Sequence, residues 1–224
     1  MPRVIVFDVN ESLLDLRAMD PAFERVFGDR SVRQQWFQQM LASAMVSIIT
    51  DAYSDFGALG RGALQMTAER RGVQVSDEDQ QRILGTMREL PPHPEVRSAL
   101  ERLREAGLRL ATLTNSTRQM AEAQMQHAGL RDLFEQVLSA DAAKRLKPHR
   151  AAYETAAEQL GVDVRQVRLV AAHAWDVAGA LRAGCAAAFI ARPGMVLDPL
   201  ALRPDVVGKD LREVADQILE RERV

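Results

Sequence analysis

Val4-Ile5-Val6-Phe7-Asp8-Val9-Asn10-Glu11-Ser12-Leu13-Leu14-Asp15 is the stretch that decides how the chain folds. Val4 to Phe7 is a short apolar run rich in β-branched side chains, as expected of a strand buried on both faces. Asp8 comes where that strand should end, and Asn10, Glu11 and Ser12 follow as a polar turn. In an open parallel sheet, ligands bind in the crevice beyond the carboxyl ends of the strands, so Asp8 points toward such a crevice. An Asp that serves only the βα turn fits the local pattern as well.

Outward from this stretch the period changes. Trp36, Met40, Leu41, Ala44, Met45 and Ile48 recur at helical spacing, and Leu59, Ala63, Leu64 and Met66 begin another helix that ends near Gly72. Ser76 caps a third, with Asp77, Glu78 and Asp79 in its first turn, and this helix must stop before Pro91-Pro92. A helical block of roughly 75 residues therefore separates the first strand from the rest. From Pro94 the chain alternates helix and strand. Strands are expected at Leu108–Leu113, Val137-Leu138, Val167–Ala171, Ala187–Ala191 and Asp205–Val207, and an amphipathic helix at about 211–222. The expected fold class is α/β, a doubly wound parallel sheet with right-handed crossovers and a helical cap inserted after the first strand. Residues 1–16 and 92–224 form the core and residues 17–91 the cap.

The 224 residues suffice for a large apolar interior. With 27% charged residues and a net charge of -2, neither nucleic acid nor an anionic membrane is indicated as a partner. One cysteine, Cys185, rules out an internal disulfide framework and fits a reducing cytoplasm. No run approaches the ~18 apolar residues of a membrane span, and the N-terminus lacks a basic-plus-apolar leader, so a cytoplasmic protein is expected. Only three lysines occur, Lys144, Lys147 and Lys209, which draws notice to each.

Polar groups follow four of the expected strands: Asp8, Thr114-Asn115, Lys147, and His173 through Asp176. Singly, each reads as well as a turn, cap or solvated residue. Jointly they converge on one crevice. No G-x-S-x-G elbow, phosphate-binding glycine loop or zinc-spaced Cys/His cluster competes with them.

Phe7-Asp8-Val9-Asn10-Glu11-Ser12-Leu13, Leu113-Thr114-Asn115-Ser116, Lys147-Pro148 and Ala172-His173-Ala174-Trp175-Asp176-Val177-Ala178-Gly179-Ala180 resemble, in order, the four motifs of the haloacid dehalogenase superfamily. The chain is most similar to its type II, or (S)-2-haloacid, dehalogenase branch, and the likeness spans essentially the whole chain. That resemblance implies that Asp8 displaces halide from the substrate carbon, leaving an ester that water hydrolyses to a 2-hydroxy acid. It implies that Lys147 orients Asp8 in the place magnesium takes in related phosphatases, so that no metal or other cofactor is needed. It further implies that Thr114 and Asn115 bind the substrate carboxylate, that Tyr153 buttresses Lys147, and that Asp176 orients the hydrolytic water or Lys147. The partner is then a small haloacid, and the protein a homodimer joined through its cap helices.

Asn10 carries a physical argument of its own. Phosphatases of the superfamily place a second Asp two positions after the nucleophile to protonate the leaving alcohol. An amide cannot do so, whereas a halide needs no proton, only hydrogen-bond donors and a dry site. The sequence also departs from the well-known dehalogenases. The position of a cap Arg that binds halide aligns with Phe37, an aromatic Tyr aligns with Asn10, a Ser with Ala171 and an Asn with His173. Without that Arg, His173 and the indole N–H of Trp175 are expected to form the halide cradle between Phe37 and Phe56, a compact arrangement suited to fluoride and so to fluoroacetate. A magnesium-dependent phosphatase and a non-hydrolytic binder of small carboxylates remain as alternatives.

Overall fold

The computed structural model describes residues 3–222. Its centre is β1 (Val4–Phe7), every residue of which is buried. The first four helices follow it: α1 (Asp20–Phe27), α2 (Val32–Ile49), α3 (Phe56–Arg71) and α4 (Asp77–Thr86). The chain then alternates as α5 (Val96–Glu105), β2 (Leu110–Thr114), α6 (Arg118–His127), β3 (Gln136–Ser139), α7 (Arg150–Gln159), β4 (Val167–Ala171), α8 (Ala174–Ala183), β5 (Ala186–Ile190), β6 (Val206–Gly208) and α9 (Leu211–Arg221). The expected strands are all present. The helix after the prolines starts later than Pro94 suggests, with Glu95 as its N-cap.

The six strands pair in parallel in the order β3-β2-β1-β4-β5-β6. The chain winds outward from β1 through β2 and β3, then returns to lay β4 on the other side of β1. The order reverses at β1, and the crevice of a doubly wound sheet opens at that point. Asp8, Thr114-Asn115 and His173 all stand at or just beyond strand ends there. The sheet buries two apolar layers. Val4, Val6, Ala111 and Leu169 face α7 and α8 on one side, while Ile5, Phe7, Leu110 and Val170 belong to the larger cluster that continues into the inserted helices.

Local chemistry explains how those helices are held. Asp55 caps α3 by accepting the Ala58 N–H at 2.9 Å, and Ser76 caps α4 by accepting the Asp79 N–H at 3.1 Å. The Trp36 indole N–H of α2 donates to the Gly60 carbonyl of α3 at 2.9 Å, joining the two longest inserted helices. No helix among the described residues is long and apolar enough to cross a membrane.

Gly179, on α8, lies where that helix closes over the start of α7. A Cβ there would stand 2.4 Å from Pro148 Cβ and 2.6 Å from the Tyr153 hydroxyl. Overpacking of this kind costs about 2 kcal/mol. Gly179→Ala is therefore expected to lower the urea unfolding midpoint, and an unchanged midpoint would contradict this close approach.

Candidate active site

Lys147 is fully buried, and all three of its ammonium hydrogens are used. They go to Asp8 Oδ1 at 2.9 Å, Asp176 Oδ2 at 2.5 Å and the Leu113 carbonyl at 2.7 Å. The loop that carries it is pinned by Asn115, whose Oδ1 accepts the Lys147 N–H at 2.7 Å while its Nδ2 donates to the Lys147 carbonyl at 3.1 Å. Four groups far apart in sequence thus meet at the strand ends.

Two carboxylates share this one ammonium, and their environments push them apart. Burial alone would raise Asp8, but the Lys147 charge and hydrogen bonds from His173 and Ser12 outweigh it and hold the Asp8 carboxyl well below the usual range. At Asp176 burial wins, with the neighbouring Asp8 charge adding to it, so that carboxyl is raised despite Lys147. Lys147 itself would be lowered by burial, yet Asp176 and Asp8 together raise it. The result is an ionised, oriented Asp8 carboxylate with little competition from protons.

Ser12, Glu11 and Gln124 are residues whose parts sequence reading missed. The Ser12 hydroxyl donates to Asp8 Oδ2 at 2.6 Å and accepts the Ala172 N–H at 2.8 Å, tying β1 to the end of β4. Glu11 has φ 62°, the left-handed region that a residue with a side chain seldom occupies. This conformation accompanies a contact of its carboxylate with His173, where Nε2 donates to Glu11 Oε2 at 2.9 Å. The other ring nitrogen, Nδ1, donates to Asp8 Oδ2 at 3.2 Å. Burial lowers His173, but its bonds to Asp8 and Glu11 carry its pKa up to about 9, so at neutral pH it is an imidazolium between two carboxylates. Behind Glu11, Arg33 of α2 reaches within 3.7 Å of Oε1 while held by Asp20 at 2.5 Å.

The remaining expected residues fall in three places. Asp8, Asn10, Phe37, Phe56, Thr114, Asn115, Lys147, His173 and Trp175 line one small cavity together with Leu41. Tyr153 does not line it. Its hydroxyl donates to Asp176 Oδ1 at 2.6 Å, so it buttresses Lys147 through Asp176 and not by direct contact, and it stands outside the substrate pocket. Asp176 is likewise sealed behind Lys147, with no exposed surface, which favours orienting the lysine over orienting a water. The expected two-donor halide cradle also changes. Both nitrogens of His173 are engaged by carboxylates, whereas Trp175 Nε1 is buried without a hydrogen-bond partner among the described residues. Its ring stacks on the imidazole, with centroids 5.2 Å apart.

Asn10 is fixed from the side. Gln124 Nε2 donates to its Oδ1 at 3.0 Å and to the Met87 carbonyl at 2.7 Å, and Asn10 Nδ2 donates to Ser116 Oγ at 3.4 Å. Thr114 Oγ1 accepts the Ser116 N–H at 3.2 Å, shaping the turn beside it. Chemically, the arrangement offers an ionised carboxylate oxygen, an indole N–H left unpaired among the described residues, a charged imidazole and apolar walls from Phe37 and Phe56.

The pattern of haloacid dehalogenase-like hydrolases matches residues 2–184 of the chain. The (S)-2-haloacid dehalogenase of Pseudomonas sp. (strain YL) is 30% identical over 214 residues, which is 95% of this chain and 92% of that protein. The haloacetate dehalogenase H-2 of Moraxella sp. (strain B) is 30% identical over 203 residues, covering 90% of this chain and 91% of that one. Among solved structures, L-2-haloacid dehalogenase from Xanthobacter autotrophicus with chloropropionic acid covalently bound superposes with a TM-score of 0.91 at 28% identity, and all of both chains is covered.

The raised pKa of His173 carries a stability signature with a definite sign. Because its folded value lies above the ordinary 6.5, the paired imidazolium adds stability that is complete below about pH 6.5 and is lost as pH rises through about 9. The stability difference between the parent protein and His173→Gln, measured by urea unfolding, is expected to shrink across that window. A difference that does not depend on pH would contradict the doubly paired imidazolium.

Proposed function

The chain belongs to the haloacid dehalogenase-like hydrolases, and from that premise we propose that it hydrolyses the carbon–halogen bond of short 2-haloalkanoic acids, fluoroacetate among them. The observation that carries this reading is the buried Lys147 ammonium bridging Asp8 and Asp176 beside a small pocket walled by aromatic side chains. It supplies what displacement at carbon requires: an ionised carboxylate, held in one orientation and shielded from water. Asn10, engaged by Gln124 and Ser116, offers no acid for an alcohol leaving group, which disfavours phosphate-ester cleavage.

In the first half-reaction an Asp8 oxygen attacks the carbon bearing the halogen. The carbon–halogen bond breaks with inversion, its electron pair leaves with the halide, and the Trp175 N–H receives that anion. Thr114 and the Asn115 turn take the substrate carboxylate. Ester formation removes the Asp8 charge that held the His173 Nδ1 proton, so Nδ1 releases that proton to solvent while Glu11 keeps the Nε2 proton in place. Neutral His173 then takes a proton from water as the water attacks the Asp8 carboxyl carbon. Collapse of the tetrahedral intermediate breaks the bond between that carbon and the ester oxygen. The 2-hydroxy acid keeps that oxygen together with the water's second proton, and the carboxylate–imidazolium pair is restored. Asp176 and Tyr153 hold Lys147 throughout. Residues 17–91 act as the cap that closes the pocket. Val46 and Ile49, 58% and 82% exposed on α2, support a homodimer joined through that cap.

Chloride, bromide and fluoride release from 2-haloacetates and 2-halopropionates is expected from the parent protein and not from Asp8→Asn. Absence of release from every one of them would contradict the proposal and leave a carboxylate-binding protein.

His173→Gln is expected to form the Asp8 ester but hydrolyse it at least ~100-fold more slowly. The adduct should then accumulate in the intact-protein mass spectrum, and a variant that turns over without accumulating ester would exclude His173 as the base.

A further inference from the structure

The backbone around Glu11 accounts for its left-handed conformation without the side chain. Its N–H donates to the Leu14 carbonyl at 2.8 Å, and its own carbonyl accepts from His93 Nε2 at 3.3 Å. Glycine meets such a demand at no steric cost, whereas glutamate at φ 62° does not. The carboxylate therefore needs a use of its own, and its surroundings define one.

The two oxygens of that carboxylate are divided between partners. Oε2 accepts the His173 Nε2–H at 2.9 Å, while Oε1 faces Arg33 at 3.7 Å, itself anchored by Asp20 at 2.5 Å. The guanidinium thus fixes the rotation of the carboxylate from the cap side. At the other ring nitrogen, Nδ1 donates to Asp8 Oδ2 at 3.2 Å, and the rings of Phe37 and Trp175 flank the imidazole. The charged groups about His173 are then Asp8 and Glu11, with Lys147 on the second oxygen of Asp8 and Arg33 behind Glu11. Glu11, Arg33 and His173 also line a cleft of about 640 Å³ that shares Phe37, Leu41, His173 and Trp175 with the reaction pocket, a route by which water reaches the imidazole.

A neutral imidazole carries its proton on one nitrogen or the other. Only with the proton on Nε2 is Nδ1, the nitrogen that faces Asp8, free to take a proton from water. An acceptor at Nε2 selects that tautomer.

We propose that Glu11 is the positioning residue of the hydrolytic half-reaction, holding the His173 proton on Nε2 and so aiming the Nδ1 lone pair at the water that attacks the Asp8 ester. The inference rests on the dehalogenase reading and on His173 as its base. In that step the water oxygen bonds to the Asp8 carboxyl carbon, one water proton passes to Nδ1, and the Nε2 proton stays where it is. Glu11 lies outside the reaction pocket and acts through the imidazole.

Two variants test this with haloacetate as substrate. Glu11→Gly removes the acceptor and suits the backbone, so thermal melts are expected to show a folded protein. Its ester should decay at least ~10-fold more slowly in the intact-protein mass spectrum, with kcat and KM falling together and kcat/KM retained, because only a step after ester formation is slowed. Glu11→Gln keeps an acceptor without the charge. It should recover most of the rate, with the acid limb of kcat moved to lower pH, because an anion that favours the protonated base is gone. Unchanged ester decay in Glu11→Gly, or a loss in kcat/KM equal to that in kcat, would overturn the inference.

A second readout needs no turnover. In Asp8→Asn, whose uncharged side chain stands in for the ester, nitrogen-15 NMR of neutral His173 is expected to show the proton on Nε2, and addition of Glu11→Gly to shift it toward a mixture of tautomers. An Nε2 proton that survives loss of Glu11 would contradict the assignment. Failure of the dehalogenase reading appears separately, as no halide release by the parent protein, and the tautomer measurement then still decides what Glu11 does to His173.

Discussion

A fully buried lysine ammonium is the constraint on which this structure turns. Burying a charge of that kind is costly unless it is paired and fully hydrogen-bonded. Here Asp8, Asp176 and the Leu113 carbonyl satisfy every hydrogen. The requirement reaches outward: Asn115 fixes the backbone of Lys147, Tyr153 fixes Asp176, and Gly179 lets Tyr153 and Pro148 come close enough to do so. Removing any of these would leave a buried charge poorly matched, so the same contacts that hold the fold also keep the Asp8 carboxylate ionised.

Charge placement also accounts for the site's asymmetry. The two carboxylates on Lys147 differ because Asp8 has additional donors, Ser12 and His173, while among the described residues Asp176 has only the Tyr153 side chain besides the lysine. Where the sequence departs from its better-known relatives it does so in a physically connected set. Phe37 stands where a guanidinium was expected, its ring 6.1 Å from that of His173. The positive charge of the site is instead an imidazolium, backed by Glu11, with Arg33 one helical turn before Phe37. The charge that would have come from the cap at Phe37 is thus supplied from the core.

Much of this was legible in the chain. Short β-branched runs ending in polar residues gave the strands, because a doubly covered parallel sheet admits few other patterns, and the motifs located Asp8, Thr114, Asn115, Lys147 and Asp176. What stayed hidden depends on orientation. Nothing local announces that Glu11 takes φ 62° and turns its carboxylate toward a histidine 162 residues away. Ser12 looked like a turn residue because its partner, Ala172, lies across the sheet. Tyr153 was expected at Lys147 and meets Asp176, and His173 was expected at the halide and meets the Asp8 and Glu11 carboxylates, since sequence spacing puts a residue on a helix face but does not choose its partner. Gln124, buried in a helix and bonded to Asn10, gave no signal at all.

The central claim is that Asp8 becomes covalently bonded to the organic acid and that its own oxygen departs with the product. A single turnover of haloacetate with excess enzyme in ¹⁸O-water, followed by mass analysis of protein and product, tests it directly. The account predicts that the heavy oxygen enters the peptide containing Asp8 while the first glycolate carries none. Label found at once in the glycolate, with an unlabelled protein, would contradict it.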